Sequence, residues 1–193
     1  MARPREFNTQ EALGQALEVF WTKGYEAASV CDLMAAMGLS KSSLYDSFGS
    51  KHELFLKVID CYVDASSAGY KLVLAGEGSG RRAIEEMFAA IVEAAAGDEG
   101  RRGCFVANCA VELSGADEQT SRRVAAFFKQ FEEAIEAAVR RGQDQGNISA
   151  DQDATALALF LVSNINGIRV MAKVDPDPGA LRDIARIALQ ALD

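Results

Sequence analysis

Between residues 24 and 50 a glycine is followed by a serine three times, and this punctuation limits the segment to short helices. The glycines are Gly24, Gly38 and Gly49, and the serines are Ser29, Ser40 and Ser50. Glycine commonly ends a helix and serine commonly caps the next one, most strongly when an acid stands three residues later, as it does after Ser29 and Ser50. The spacing therefore predicts two helices of about two turns each, one after Ser29 and one after Ser40.

The remaining sequence predicts an all-α protein of about nine helices. Apolar residues recur three and four apart almost throughout, and alternating β-branched runs are nearly absent. A first helix is expected over 9–23, where Asn8 and Glu11 resemble a capping box. Later helices are expected over 51–74, 81–96, 103–114, 117–141, 151–174 and 178–192. Asp177 and Pro178 suit the cap and first turn of the last helix, and the glycine-rich stretch at 76–80 is a loop.

The two short helices and the turn at Gly38 form a helix-turn-helix, an arrangement that lets the second helix enter a DNA major groove. Leu33, Met37 and Leu44 are expected to face inward and fix the angle between the helices. Small polar and basic side chains then face outward: Ser40, Lys41, Ser42, Ser43, Tyr45 and Ser47. Such groups donate hydrogen bonds to phosphates and base edges and are small enough to fit close to the DNA.

Residues 6–55 resemble the DNA-binding domain of the TetR family of transcriptional regulators, through "ALEVFWTKGYEAASVCDLMAAMGLSKSSLYDSFGSKHELF". The resemblance implies operator contacts by Ser40, Lys41, Ser42 and Tyr45, and a phosphate contact by Lys51. Ser29 and Ser47 complete the candidate DNA-binding set. Many members have an aromatic or histidine pair after the tyrosine, where this chain has Asp46 and Ser47, and we expect the Asp46 carboxylate to point away from DNA.

The resemblance divides the chain into a DNA-binding domain over 1–55 and a regulatory domain over 56–193 that binds an inducer and dimerises through its last two helices. The segment "RGCFVANCAVEL" at 102–113 is similar to one in a branch of the family. Two apolar stripes fit either a core or a dimer interface, and two-fold recognition of DNA favours the interface. Their members are Ala154, Leu157, Leu161, Asn164, Ile168 and Met171, with Ile184, Ile187 and Leu192 on the final helix.

A candidate inducer site follows from helical spacing. Phe105, Asn108, Cys109 and Glu112 share one helix face, and pockets combine a few polar groups with apolar walls. Phe88, Phe127, Phe128 and Phe131 are candidate walls, with Phe88, Phe127 and Phe131 the favoured ligand contacts. The alternative is that these aromatic residues belong to the core.

The four cysteines lack the spacing of a metal site and are expected to be reduced thiols. Cys104 or Cys109 could instead sense an electrophile or oxidant, with Arg101 and Arg102 lowering the pKa of Cys104. The two thiols stand about 140° apart around a helix, so a disulfide between them would break the helix.

Charge argues against a protein that binds DNA through a broad basic surface. The net charge is −8, and residues 1–60 contain six Lys or Arg against eight Asp or Glu, a balance of 6 − 8 = −2. Nonspecific affinity for DNA comes mostly from neutralised phosphates, so any DNA-binding surface here is a local patch.

We expect a homodimeric repressor released from a palindromic operator by a small-molecule inducer, with a transcriptional activator as the alternative. No enzyme activity, cofactor or metal is expected: His52, the single histidine, is predicted to be a solvated surface residue, and neighbouring carboxylates such as Glu85 and Glu86 diverge around a helix. The longest apolar stretch, 154–162, is short for a membrane span, so we expect a cytoplasmic protein without a membrane partner.

Overall fold

The computed structural model describes residues 8–76, 78–97 and 100–193. The first seven residues of the predicted DNA-binding domain, and Glu77 in the predicted loop, lie outside this description. Within it the protein is all-α, as predicted, with nine α-helices and two short 3₁₀ turns at Gly100–Arg102 and Gln190–Leu192. The helices are α1 Thr9–Lys23, α2 Val30–Met37, α3 Lys41–Phe48, α4 Lys51–Leu74, α5 Gly80–Ala96, α6 Phe105–Leu113, α7 Glu118–Asp144, α8 Ala154–Val174 and α9 Pro178–Leu189.

The predicted capping residues begin the helices. Asn8 accepts backbone N–H bonds at the start of α1, and Ser29 forms a complete capping box with Asp32 at the start of α2. Ser40 and Ser50 cap α3 and α4 by accepting the backbone N–H groups of Ser43 and Glu53. Because each cap satisfies N–H groups that the helix leaves unpaired, the helix starts are fixed by local sequence.

One difference from prediction lies before α6. A helix was expected from residue 103, but Cys104 is the N-cap and the preceding residues form the 3₁₀ turn. Gly103 has a φ of 66°, a left-handed conformation that ends the turn and prevents one continuous helix. Its position also allows close contact with Lys173 of α8, whose side chain would meet any Cβ at residue 103.

Two apolar cores share the long helix α4. The first is built from α1–α3, the start of α4, α6 and the start of α7, and the second from the end of α4, α5, α7, α8 and α9. The first core therefore includes Phe105, Cys109 and Phe127, well beyond residue 55. The division at 55/56 remains a prediction, and α4 runs through it without a break.

Helix α8 has one buried and one exposed apolar face. Most of the stripe that was predicted as a dimer interface, including Leu157, Leu161 and Ile168, is buried in the second core. The exposed apolar residues are Leu159, Phe160, Val170, Met171 and Val174, with Ile187 on α9, and of these Met171 and Ile187 belong to the predicted stripes. Periodicity locates an apolar face but does not tell which neighbour covers it. By length and composition alone α8 could also span a membrane, but eight of its residues are buried within the protein.

Candidate nucleic-acid interface and regulatory cavity

Helix α3 presents its polar face to solvent. Leu44 and Phe48 are buried beneath it, at 0% and 3% exposure, together with Leu33 and Met37 of α2. These buried contacts fix the helix in place, because burial of each such side chain stabilises by about 1.5–3 kcal/mol. The exposed residues of α3 and its cap include the candidate DNA contacts Ser40, Lys41, Ser42, Tyr45 and Ser47. Asp46 is exposed as well.

The serines at the start of α3 already hydrogen-bond to one another. The Ser40 hydroxyl lies 3.0 Å from that of Ser42 and 2.9 Å from that of Ser43, and it accepts the Ser43 N–H. The Ser29 hydroxyl also has a partner within the protein, since it donates to the Asp32 carboxylate at 2.7 Å. Ser29 and Ser40 therefore have a structural role, and DNA contact by either serine remains a prediction.

Lys51 rests on the turn between α1 and α2. Its ammonium lies 4.4 Å from the centre of the Tyr25 ring and donates to the Glu26 carbonyl at 3.5 Å. Cation–π contact and the weak hydrogen bond hold the charge beside the helix-turn-helix while leaving further N–H donors available. The position of this lysine therefore depends on the turn beneath it.

That turn is held from the other side by Glu112 of α6. Its two carboxylate oxygens accept the backbone N–H groups of Tyr25 at 3.0 Å and Glu26 at 2.9 Å. Gly24, with a φ of 80°, permits this approach, because a Cβ there would meet the carboxylate at 2.9 Å. Glu112 was predicted as a ligand contact, and the structure places it instead at the junction with the DNA-binding helices.

A second junction links α1 to the 3₁₀ turn before α6. Arg102 forms an ion pair with Glu18, its guanidinium lies 4.5 Å from the centre of the Trp21 ring, and its carbonyl accepts the Trp21 indole N–H at 3.2 Å. Asn108 donates to the same carbonyl at 2.9 Å and accepts from Lys173 of α8 at 3.0 Å. This network connects α8 to α1 through residues 102–108.

His52 forms a third junction, and the prediction of a solvated surface histidine was wrong. Its Nε2 lies 2.8 Å from the Asp117 carboxylate at the N-cap of α7, and its ring packs edge-on against Tyr25. Burial raises the pKa of Asp117, but hydrogen bonds from Thr120, His52 and the Gln119 amide outweigh it and lower the pKa to about 2. Asp117 is therefore ionised at neutral pH.

A cavity of about 620 Å³ lies between α4, α5 and α7, within the size range of small-molecule sites. Aromatic and aliphatic side chains dominate its wall, and the 3₁₀ turn and one residue of α8 close it. The wall includes the side chains of Trp21, Tyr62, Ser66, Tyr70, Met87, Ile91, Cys104, Phe127, Phe131 and Arg169.

The structure separates the predicted ligand set. Phe127 and Phe131 line the cavity, whereas Phe88 lies against a different groove, between α5 and α9. The other predicted contacts, Phe105, Asn108, Cys109 and Glu112, are outside the cavity lining. They do share one side of α6, but that side packs on α1 and α4: Phe105 contacts Trp21 and Phe55, and Cys109 is buried in the first core.

The spacing of residues on α4 could have indicated the cavity from the sequence, but this pattern was missed. Tyr62, Ser66, Tyr70 and Val73 recur three or four apart and line the cavity from one face of the helix. Arg169 gave no such signal, because its relation to this face depends on how α8 packs in three dimensions.

The two cysteines of the region differ in environment. Burial raises the pKa of Cys109 to about 12, with the Glu112 charge adding to the effect, so its thiol stays protonated. Cys104 is also buried, but it lines the cavity, and its sulfur lies 3.9 Å from the Tyr62 hydroxyl. No cluster of three or more His, Cys, Asp or Glu side chains suited to a metal ion occurs in the described part of the chain.

An exposed polar recognition helix on a helix-turn-helix, joined to a helical domain with an internal cavity, defines a DNA-binding regulator. Residues 12–58 match the family model described as bacterial regulatory proteins, tetR family, and residues 80–188 match the tetracyclin repressor-like C-terminal domain. The chain belongs to the TetR family of transcriptional regulators, as its N-terminal segment predicted.

Relatives match over nearly the whole chain. The HTH-type transcriptional regulator YezE of Bacillus subtilis is 34% identical over 100% of both chains. The HTH-type transcriptional repressor ComR of Escherichia coli is 31% identical over 97% of this chain and 90% of its own. The solved structure of a cysteine mutant of the TetR family regulator CifR, in complex with 26-bp operator DNA, has a TM-score of 0.86 and 33% identity, covering 99% of this chain and 100% of that one.

Proposed function

We propose that this regulator is a homodimeric repressor that leaves a palindromic operator when a small molecule enters the cavity. The observation that carries the proposal is the exposed polar face of α3 on a buried apolar support. CifR, which has the same fold, binds an operator duplex, and ComR is a repressor. Operator DNA and regulator meet in the cytoplasm of a bacterium.

Dimerisation is proposed through the exposed apolar face of α8, continued by Ile187 of α9. Phe160, Val170 and Val174 are 46%, 55% and 77% exposed, and Ser163 and Gly167 between them are small enough to allow a second helix to approach. One short recognition helix contacts few base pairs, so two copies are needed for useful specificity.

The dimer proposal is tested by Phe160→Asp, because a charge buried at an apolar interface is costly. We expect monomers in size-exclusion chromatography with light scattering and a large loss of operator affinity. Leu72→Asp, on an 80% exposed residue of α4 away from this face, is the matched control. A Phe160→Asp protein that remains dimeric would contradict the assignment of the interface.

The three junctions offer a route from the cavity to the DNA-binding helices. Cys104 and Gly103 line the cavity and directly follow Arg102, which pairs with Glu18 and Trp21 of α1. A ligand that displaces this segment would shift α1 and, with it, the helix-turn-helix. Ligand and DNA then compete because each binds a different conformation better.

Operator binding is tested by gel shift with DNA from beside the protein's own gene. Lys41→Ala and Tyr45→Ala should each weaken operator binding by about tenfold or more. Lys41→Ala should also reduce the slope of the logarithm of the binding constant against the logarithm of salt concentration, by roughly the amount expected for one phosphate contact. Lys71→Ala, an exposed lysine at the far end of α4, should have little effect.

A second candidate is release by an electrophile that reacts with Cys104, favoured by the position of this thiol in the cavity wall. The sulfur would add to an activated double bond, and its proton would pass to the adjacent carbon. Cys104→Ser should then abolish operator release by N-ethylmaleimide, whereas Cys109→Ser should not. Exposed Cys31 will be alkylated in both variants, so the adduct at residue 104 is followed by peptide mass mapping. Unchanged release by the Cys104→Ser protein would remove this candidate. Activation instead of repression is decided by where the operator lies relative to the promoter.

A further inference from the structure

One charged side chain lines the cavity in the part of the chain that the structure describes. Among the described residues that line it, Arg169 is the only charged side chain, and no carboxylate accompanies it. Tyr62 and Ser66 supply hydroxyls, and the buried hydroxyl of Tyr70 has no hydrogen-bond partner among the described residues. A polar group left unpaired inside a protein usually marks the place of a missing partner.

Arg169 itself lacks a partner in the described structure. It is half-buried on α8 and forms no hydrogen bond or ion pair with the described residues, whereas nearby Arg102 pairs with Glu18. A guanidinium carries five N–H donors in a planar fork that matches the two oxygens of a carboxylate. An unpaired guanidinium at an apolar cavity is therefore arranged to receive an anion.

The neighbouring groups do not neutralise this charge. Burial raises the pKa of Tyr62 and the Cys104 thiol adds to the effect, while the Arg169 charge opposes it. Tyr62 stays a neutral hydroxyl at physiological pH, so it can donate a hydrogen bond but cannot serve as the counter-ion of Arg169.

We propose that the cavity binds an organic monoanion, an apolar body that carries one carboxylate, with Arg169 as its counter-ion. The inference rests on the proposed function, in that the cavity is the inducer site. Trp21, Met87, Phe127 and Phe131 supply apolar contact for the body of the ligand. A dianion such as a phosphate monoester would leave one charge unpaired beside apolar walls, and an ammonium would face the guanidinium, so both are disfavoured.

The test is binding of matched probes to the full-length protein, measured by calorimetry and by the shift in melting temperature. The probes are 4-phenylbutanoate, octanoate and 2-naphthoate, each compared with its amide and with the amine of the same skeleton. We expect at least one carboxylate to bind about tenfold or more tightly than its amide, and the amines not to bind.

The variant Arg169→Gln should lose this preference for the carboxylate over the amide. Arg169→Lys retains the charge without the planar fork, so it should keep the preference with several-fold weaker affinity, and it serves if Arg169→Gln fails to fold. Arg82→Gln, an exposed arginine of α5 outside the cavity, is the matched control. Equal binding of carboxylates and amides, binding by no carboxylate, or full carboxylate affinity in Arg169→Gln would overturn the proposal.

Gel shifts with and without the bound probe separate this proposal from the proposed function. A carboxylate that binds through Arg169 without releasing DNA supports the ligand class and contradicts the inducer role of the cavity. Release of DNA by the amides as effectively as by the carboxylates supports the inducer role and overturns the ligand class.

Discussion

Replacing Glu112 with glutamine tests the link between α6 and the turn that connects α1 to α2. The carboxylate accepts two backbone N–H groups, from Tyr25 and Glu26, one on each oxygen. A glutamine side chain has one acceptor oxygen, and its NH₂ group would face the remaining N–H donor. The variant therefore loses one bond outright and weakens the other by removing the charge.

The expected cost follows from these two bonds. Hydrogen bonds to a charged group contribute about 1.5–3 kcal/mol each when buried. Because Glu112 is exposed, the free energy of unfolding should fall by only about 1–2 kcal/mol in total. For a chain of this length that corresponds to a melting temperature lower by roughly 2–8 °C. Operator affinity should fall as well, because the turn also supports Lys51 through the Tyr25 ring and the Glu26 carbonyl.

The assays are thermal unfolding followed by circular dichroism and operator binding by gel shift. Glu118→Gln is the matched control, since that side chain is 82% exposed on α7 and makes only a 3.7 Å ion pair with Arg122. Equal melting temperature and equal operator affinity for Glu112→Gln and the unmodified protein would refute the role assigned to the carboxylate.

Three further predictions concern packing, pH and coupling. Leu44→Ala should destabilise the protein by about 2–5 kcal/mol in urea unfolding, because the side chain is fully buried beneath α3; an unchanged midpoint would contradict this. Asp117→Asn should lower the free energy of unfolding by about 1 kcal/mol at pH 7 after allowance for solvent screening. Since the folded-state pKa of Asp117 is lowered to about 2, this difference should persist above about pH 4 and vanish as pH falls through 2, as unfolding measured against pH will show. Lys173→Met removes the bond to Asn108 and should reduce the loss of operator affinity caused by ligand; an undiminished loss would exclude this route.

Local sequence predicted most of the helices because their limits depend on neighbouring residues. Ser29, Ser40 and Ser50 cap helices where predicted, and α4 ends at Leu74 as expected. The polar face of α3 was predictable for the same reason, because its two buried apolar residues, Leu44 and Phe48, leave the opposite side exposed.

The parts that were not predictable depend on contacts between distant residues. Glu112 meets a turn 86 residues earlier in the chain, and its position on α6 gave no sign of that partner. Most of the α8 stripe that was predicted as a dimer interface is buried in the second core, because periodicity does not say which side the other helices cover. Arg169 joins the cavity only through the packing of α8.

Quantitative gel shift on DNA from beside the protein's own gene measures whether α3 contacts operator DNA in two copies per site. We expect two chains per palindromic site and operator affinity about tenfold or more lower for both Lys41→Ala and Tyr45→Ala, with both variants retaining the melting temperature of the unmodified protein. Undiminished binding by both variants would contradict the contact by α3.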